Sequence, residues 1–357
     1  MTTILIKDTL RASVEAASGG AQTVLYTTKG QPTFMNVVKK FDLSDVLPDM
    51  VGTHPAFIIN GVEKSEIFIG TYESVIRNGE LLSLPNQKIE ANNYSAYFAA
   101  SVANGPGHHM MTNAEWAALA LRTWKDGTVP QGNSYYGRSV ADATQYGRRV
   151  DGLDAAAGIT TGIPLILTGS GPVSFRHNGK YNGISDLIGN SKTMLQGVRL
   201  VYGELQIIPN NDSAATNIST NEATLWKAID ARTGDLITPN GLGSTQYAVR
   251  FSNISTTDAY TLIIGSALQN HTQASAAFPV SDAAIKLLRK LAMLPPVVGD
   301  SAGSDVASSG LSSADAMITR GGHYAEGVGT GVFAYRLVEG RTLVSSFIST
   351  RSAYYKP

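Results

Sequence analysis

Cysteine is absent from the 357 residues, which removes disulfides, thiolate zinc sites, iron–sulfur clusters and every cysteine-nucleophile mechanism. Charge is scarce: 28 basic and 28 acidic side chains make up 16% of the chain and cancel to a formal net charge of zero. A neutral chain has no sequence-independent pull on phosphate backbones or anionic bilayers, so no nucleic acid and no membrane insertion is expected. No apolar run approaches the roughly 18 residues that cross a bilayer. Lys7, Asp8 and Arg11 interrupt the start, where a secretory signal needs an unbroken apolar stretch. The expectation is a soluble product made in the cytoplasm. No period of about 20 to 50 residues repeats, which argues against solenoids and propellers.

What is present points to a folded chain, because 43% of the residues are hydrophobic. At about 150 residues per domain, the length suits two to three domains or one large decorated one. The 36 glycines are spread along the chain, which implies many tight turns, irregular loops and few long helices. Fifteen tyrosines against ten phenylalanines suggest amphipathic rings at surfaces, as in viral structural proteins and in binding modules built on Tyr, Ser, Gly and Asn.

The first 47 residues alternate short β-rich pieces (Thr3 to Ile6, Thr23 to Thr28, Phe34 to Val38) with turns at Gly19-Gly20 and Gly30. This segment is read either as a hairpin lying on the main domain or as an element that docks or trimerises the protein in a larger assembly. A second hairpin is expected around Gly61, with Ala56 to Ile59 and Glu66 to Tyr72 as strands. The clearest helix opens at Thr112, where Thr112 and Glu115 have capping-box spacing, and it ends at Gly127. Another helix is expected over Asp282 to Met293, capped by Ser281 and stopped by Pro295-Pro296. Ile163 to Thr168, Leu195 to Val201 and Glu204 to Ile208 read as strands, and Gly299 to Ala316 as a Ser/Gly loop.

Candidate catalytic motifs fail on their spacing. Gly327-Val328-Gly329-Thr330-Gly331 lacks the preceding strand, following helix and downstream acid of a dinucleotide loop, and Val332 to Tyr335 after it reads as a strand. His108-His109 has no carboxylate at the spacing of a facial metal site and reads as a surface or hydrogen-bonded pair. His177 and Asp186 could be joined on paper to Ser174 or Ser185, yet no nucleophile-elbow pattern surrounds either serine. The chain is therefore not expected to be an enzyme. Asp- and Asn-rich loops leave a structural calcium ion possible and unassigned, and no cofactor is expected.

A set of spaced segments carries a resemblance. His54-Pro55-Ala56-Phe57 with Ile67 to Glu73, Met111-Thr112-Asn113-Ala114-Glu115-Trp116 and Gly132-Asn133-Ser134-Tyr135-Tyr136-Gly137 come first. Leu167 to Pro172, His177-Asn178-Gly179 and Gly183 to Asn190 follow. Arg320-Gly321-Gly322, Gly331 to Ala334, Arg341 and Ile348 to Ala353 close the series. Over roughly residues 54 to 357, in the family's order, these resemble the sulfatase-modifying-factor (formylglycine-generating-enzyme-like) branch of the C-type lectin fold. Within it they look most similar to phage and prophage variable proteins diversified by retroelements, the group that includes the major tropism determinant. The branch's W-E-W run after the Gly-Asn pair is replaced here by Ser191-Lys192-Thr193-Met194. The missing cysteines exclude the branch's oxidase chemistry.

The resemblance implies an α+β, C-type lectin architecture: an N-terminal anchoring or oligomerisation segment 1–47 and a lectin-like domain 48–357. That domain would carry an insertion around 209–300 and a ligand-binding segment 320–357. The implied contact residues are His323, Tyr324, Ala325, Glu326, Tyr335, Arg336, Val338, Glu339, Leu343, Ser345, Ser346, Phe347 and Thr350. They share no chemistry, which suits a contact surface; the alternative is an ordinary mixed surface. Arg341 and Arg351 are expected as structural donors. The implied function is adhesion at a phage tail tip or virion surface to a host cell-surface receptor, protein or glycan, by a homo-oligomer with a trimer favoured. Its alternative is a structural virion component, a capsid decoration or tail-assembly protein joined to other virion proteins, with no host ligand.

Overall fold

The computed structural model describes residues 8–215, 224–264, 271–296, 307–309 and 314–357. Among them are four α-helices, α1 (Thr9–Ser18), α2 (Tyr94–Ala103), α3 (Asn113–Lys125) and α4 (Asp282–Lys290), and many short strands in a mixed α+β arrangement.

The first sheet orders its strands Gln22–Tyr26, Pro32–Lys39, Glu66–Gly70, Ser352–Tyr354 and His108–Met110, each antiparallel to the next. The N-terminal hairpin thus continues a sheet whose inner strand is supplied by the C-terminus. Its alternating side chains explain why: Val24, Met35, Ile67, Ile69 and Ala353 all turn inward and are fully buried. The second, larger sheet runs Thr272–Gln273, Thr261–Ile263, Arg250–Ser252, Glu204–Ile207, Lys192–Val201, Ala316–Arg320, Tyr335–Gly340 and Ala307–Ser309. Lys227–Ile229 branches from Glu204–Ile207, and Ile348–Ser349 pairs with the start of Lys192–Val201.

Helix α3 forms as expected. Thr112 Oγ1 accepts from Glu115 N at 3.1 Å while Glu115 Oε2 accepts from Thr112 N at 3.0 Å. Its residues Asn113 to Leu121 are all buried, and Trp116 Nε1 donates to Val332 O at 2.7 Å, so the helix is pinned to the terminal segment. Arg320, 0% exposed, donates to Asn113 Oδ1, Ala292 O, Phe333 O and Leu291 O, drawing together α3, the end of α4 and the terminal strands. A guanidinium can be buried at such depth only because its donors are met.

Several sequence expectations are corrected. The Gly61 hairpin is smaller, pairing Ile58–Ile59 with Val62–Glu63, while Glu66–Gly70 belongs to the first sheet. Ile163 to Thr168 makes one bridge, Arg149 to Ile166, instead of a strand. Helix α4 stops at Lys290, because Ala292 takes a left-handed φ of 52°. Among the described residues the N-terminal segment begins with a helix, α1, capped by Asp8, whose carboxylate accepts from Arg11 N at 3.0 Å. The strand expected at Thr3 to Ile6 and most of the Gly299 to Ala316 loop lie outside the described residues.

Candidate contact surface on the terminal segment

The strand Ala316–Arg320 ends in Gly321-Gly322, both with positive φ (83° and 77°). A Cβ at Gly321 would lie 2.3 Å from Leu187 O, so glycine is required for the chain to turn there. The loop that follows is fastened by Glu326: its Oε2 accepts from His323 N at 3.0 Å, and its Oε1 lies 2.6 Å from Arg336 Nη2 and 3.4 Å from His323 Nε2. Burial holds His323 below the usual imidazole range, with the Glu326 carboxylate opposing that shift.

From this loop rises a chain of rings. The centroids of His323 and Phe347 are 4.6 Å apart, those of Tyr324 and Phe347 5.5 Å, and those of Tyr136 and Tyr324 5.7 Å. Tyr135 continues the series at 5.2 Å from Tyr136, and the Arg138 guanidinium lies 5.0 Å from the Tyr135 ring. Tyr136 holds φ at 50°, an unusual conformation for a bulky residue. Three bonds impose it: Tyr136 N donates to Tyr324 O at 2.8 Å, Gly327 N to Ser134 O at 3.0 Å, and Gly137 N to Asn133 Oδ1 at 2.6 Å. The ridge therefore stands on two loops fastened to each other.

Beneath it lies a buried polar network. Asn190, with φ 56°, accepts through Oδ1 from Ile166 N at 2.9 Å and Asn133 Nδ2 at 3.1 Å, and donates to the Glu73 carboxylate. Ser191 Oγ donates to Glu73 Oε1 at 2.6 Å and Ser349 Oγ does so at 3.2 Å, which gives Ser191 a structural role where the resembled branch has its aromatic run. Burial and then the Asp186 charge push the Glu73 carboxyl upward. Arg351, buried as expected, donates to Gly70 O at 2.8 Å and Ser185 O at 2.7 Å; Arg341 pairs with Asp315.

The thirteen terminal-segment candidates divide. Ala325, Val338, Leu343, Ser346 and Phe347 are exposed, and His323, Tyr324, Glu326, Arg336 and Ser345 are half-buried. Tyr335, Glu339 and Thr350 are buried and cannot present side chains to a ligand. Tyr335 packs its ring 5.2 Å from the Arg320 guanidinium, Glu339 pairs with Lys192, and Thr350 Oγ1 donates to Met194 O at 2.8 Å. Strand alternation explains the first two, since Tyr335, Leu337 and Glu339 share the inward side of Tyr335–Gly340 and Val338 the outward. Tyr135, Tyr136 and Arg138 extend the surface, but the two tyrosines entered the sequence reading only as part of a scaffold loop and Arg138 not at all. A Tyr-Tyr pair framed by Gly132-Asn133 and Gly137 was the available signal.

Two clefts adjoin the ridge. One, of about 360 Å³, is bordered by Lys88, Glu90, Ile163, Tyr324 and Ser346. The other, of about 410 Å³, opens beside Ser134 and Gly327 and has mostly apolar walls.

The motifs tested for catalysis do not assemble. His177 Nδ1 accepts from Ile184 N at 2.7 Å and Asp186 Oδ2 accepts from Gly169 N at 2.7 Å, while Ser185 Oγ donates to Thr71 O and Ser174 Oγ to Gln145 Oε1. His108 and His109 are buried, not at the surface, and His109 Nε2 sits 2.8 Å from Glu115 Oε1. Gly327–Gly329 is a single 3-10 turn, and the strand after it starts only at Tyr335. Among the described residues no group of three or more His, Asp or Glu side chains could hold a metal ion, and no helix is long and apolar enough to cross a membrane.

No family model and no curated protein matches the chain. Among solved structures it is similar to Treponema denticola variable protein 1, at 11% identity and a TM-score of 0.34, over 93% of this chain and 98% of that one.

Proposed function

We propose that the chain is a receptor-binding protein of a phage virion, seated at the tail tip or surface, with a C-type lectin scaffold that holds a ligand-contacting face. The observation that carries this reading is the ridge Tyr135–Tyr136–Tyr324–Phe347–His323, flanked by Arg138 and the Arg336–Glu326 pair. Tyrosine, arginine and other aromatics anchor interfaces, and rings fixed before binding lose little entropy on contact. Binding is non-covalent, and display of several copies, in a trimer by preference, multiplies a weak single-site affinity. The ordered run of segments from His54 to Ala353 supports the lectin-type scaffold, and the zero net charge fits a partner recognised by contact.

The test is adsorption of purified protein to candidate host cells. Tyr324→Ala and Phe347→Ala should each lower cell binding at least about tenfold, the loss of a hot-spot side chain. Tight association with particles and no cell binding by the unsubstituted protein would favour a structural virion component instead.

A further inference from the structure

Six asparagines of the chain are followed directly by glycine: Asn60, Asn78, Asn104, Asn178, Asn182 and Asn240. A glycine in that place leaves its peptide nitrogen open to the asparagine side chain, since no Cβ stands in the way. The nitrogen can close on the side-chain carbonyl carbon only where neither group is held elsewhere and the backbone can turn toward the reaction. Folding therefore decides which pair reacts.

Five of the pairs are held by hydrogen bonds. Asn104 is buried; its Oδ1 accepts from Leu81 N at 2.8 Å, its Nδ2 donates to Leu81 O at 2.6 Å, and Gly105 N donates to Val102 O at 3.1 Å. Asn178 Nδ2 donates to Asn182 Oδ1 at 3.0 Å, and the glycines after them donate to Arg176 O and Lys180 O. Asn240 Oδ1 accepts from Leu242 N at 2.8 Å while its Nδ2 donates to Ser244 Oγ at 3.0 Å. Asn78 Nδ2 donates to Gln31 Oε1 at 3.1 Å, and its turn closes the four residue pairs of Ser74–Arg77 with Glu80–Ser83, most of whose residues are buried.

Asn60 differs. Asn60 and Gly61 are exposed, and neither the Asn60 side-chain amide nor Gly61 N meets a partner among the described residues. They form the tip of a hairpin, with φ of 49° and 75°, that is closed by only two residue pairs, Ile58 with Glu63 and Ile59 with Val62. Val62 and Glu63 are both exposed, so little holds the hairpin shut and local opening is cheap. Asn60 N donates to Asp212 Oδ1 at 2.6 Å, a bond that leaves both reacting groups free.

We propose that Asn60–Gly61 is a site of spontaneous deamidation, the one pair of the six that reacts in the folded chain. Gly61 N attacks Asn60 Cγ, and the new C–N bond closes a five-membered imide. The bond from Cγ to Nδ2 breaks, and ammonia leaves with the proton from Gly61 N. Water then adds to either imide carbonyl, which gives aspartate or isoaspartate at position 60 with no oxidant or reductant. Either product sets a carboxylate on the residue that already holds the Asp212 carboxylate, like charge beside like charge. The modification is independent of what the ridge contacts.

The experiment ages the full chain in mildly alkaline buffer, with a parallel sample in urea, and follows each Asn-Gly peptide by mass spectrometry after proteolysis. In buffer, position 60 should gain the mass of an amide-to-acid exchange at least about tenfold faster than the other five, a ratio that one or two net hydrogen bonds supply. In urea all six should convert at similar rates, since each is then an open pair. Asn60→Gln should remove the acidic isoform that isoelectric focusing detects in aged protein. No conversion at position 60, conversion at any other pair as fast in buffer, or the same lead for position 60 in urea would overturn the proposal. The comparison of buffer with urea needs no substitution, so it decides even should the variant fail to fold.

Discussion

Phe347 and Tyr335 look alike in the sequence, two aromatics in one terminal segment, and the structure gives them opposite duties. Phe347, 38% exposed, stands in the ridge, whereas Tyr335, 1% exposed, seals the core against Arg320 and Phe251. Phe347→Ala should therefore change folding stability by no more than about 0.5 kcal/mol, while Tyr335→Ala should cost about 3–5 kcal/mol in urea unfolding. Histidine burial sets a second expectation. Burial lowers His177 to about 4 and His108 to about 4, and His54 to about 3, from 6.5. Because the folded protein resists protonating them, the stability they confer is full above pH 6.5 and is lost as pH falls from 6.5 toward 4. Glu73, raised by burial, acts in the opposite sense. His177→Asn keeps an acceptor for Ile184 N and isolates one contribution. Between pH 7 and pH 4 the variant should lose on the order of 2–3 kcal/mol less than the parent in chemical denaturation. At this scale Arg351 was legible as a buried donor, because an arginine among Ser and Thr in an apolar segment has few other uses. Tyr136 was not, since its left-handed backbone comes from bonds to Tyr324 and Asn133 that no local pattern announces.

Elements were legible where a local rule closed on itself. Thr112 and Glu115 satisfy each other's amides within one turn, so α3 could be read from four residues. Thr112→Ala should destabilise by about 1 kcal/mol or more, because Thr112 Oγ1 also donates to Asn211 Oδ1 at 2.6 Å; thermal unfolding of the variant measures it. Helix α2 was missed for the converse reason: Tyr94-Ser-Ala-Tyr-Phe-Ala-Ala-Ser-Val-Ala103 is apolar nearly all round and shows no stripe. Helix α1 carries its signals, Asp8 before it and a left-handed Gly19 after it, yet no element was expected over Thr9–Ser18. The Gly61 turn and its first strand, Ile58–Ile59, were found and its second, Val62–Glu63, was not, since Glu66–Gly70 is claimed by strands from both ends of the chain.

Across the whole molecule, that shared sheet decides which truncations are informative. Ser352–Tyr354 lies between Glu66–Gly70 and His108–Met110, so removing residues 348–357 should abolish cooperative unfolding, seen by calorimetry. Removing residues 1–47 strips the strands Gln22–Tyr26 and Pro32–Lys39 from Glu66–Gly70 and bares an edge, so loss of particle attachment in that variant would not by itself identify an anchor. The α+β class was implied by the resemblance of the segments from His54 to Ala353, while the glycine content announced only many turns and few long helices. The two-sheet topology was not legible, because pairing between Phe68 and Tyr354 is set by side chains that meet only in three dimensions.

The most direct measurement is adsorption to host cells by the unsubstituted protein, Phe347→Ala and Tyr335→Phe, with folding confirmed for each. The account expects binding by the parent and by Tyr335→Phe, and a loss of about tenfold or more for Phe347→Ala. Equal adsorption by all three would contradict the assignment of the ridge as the contact surface.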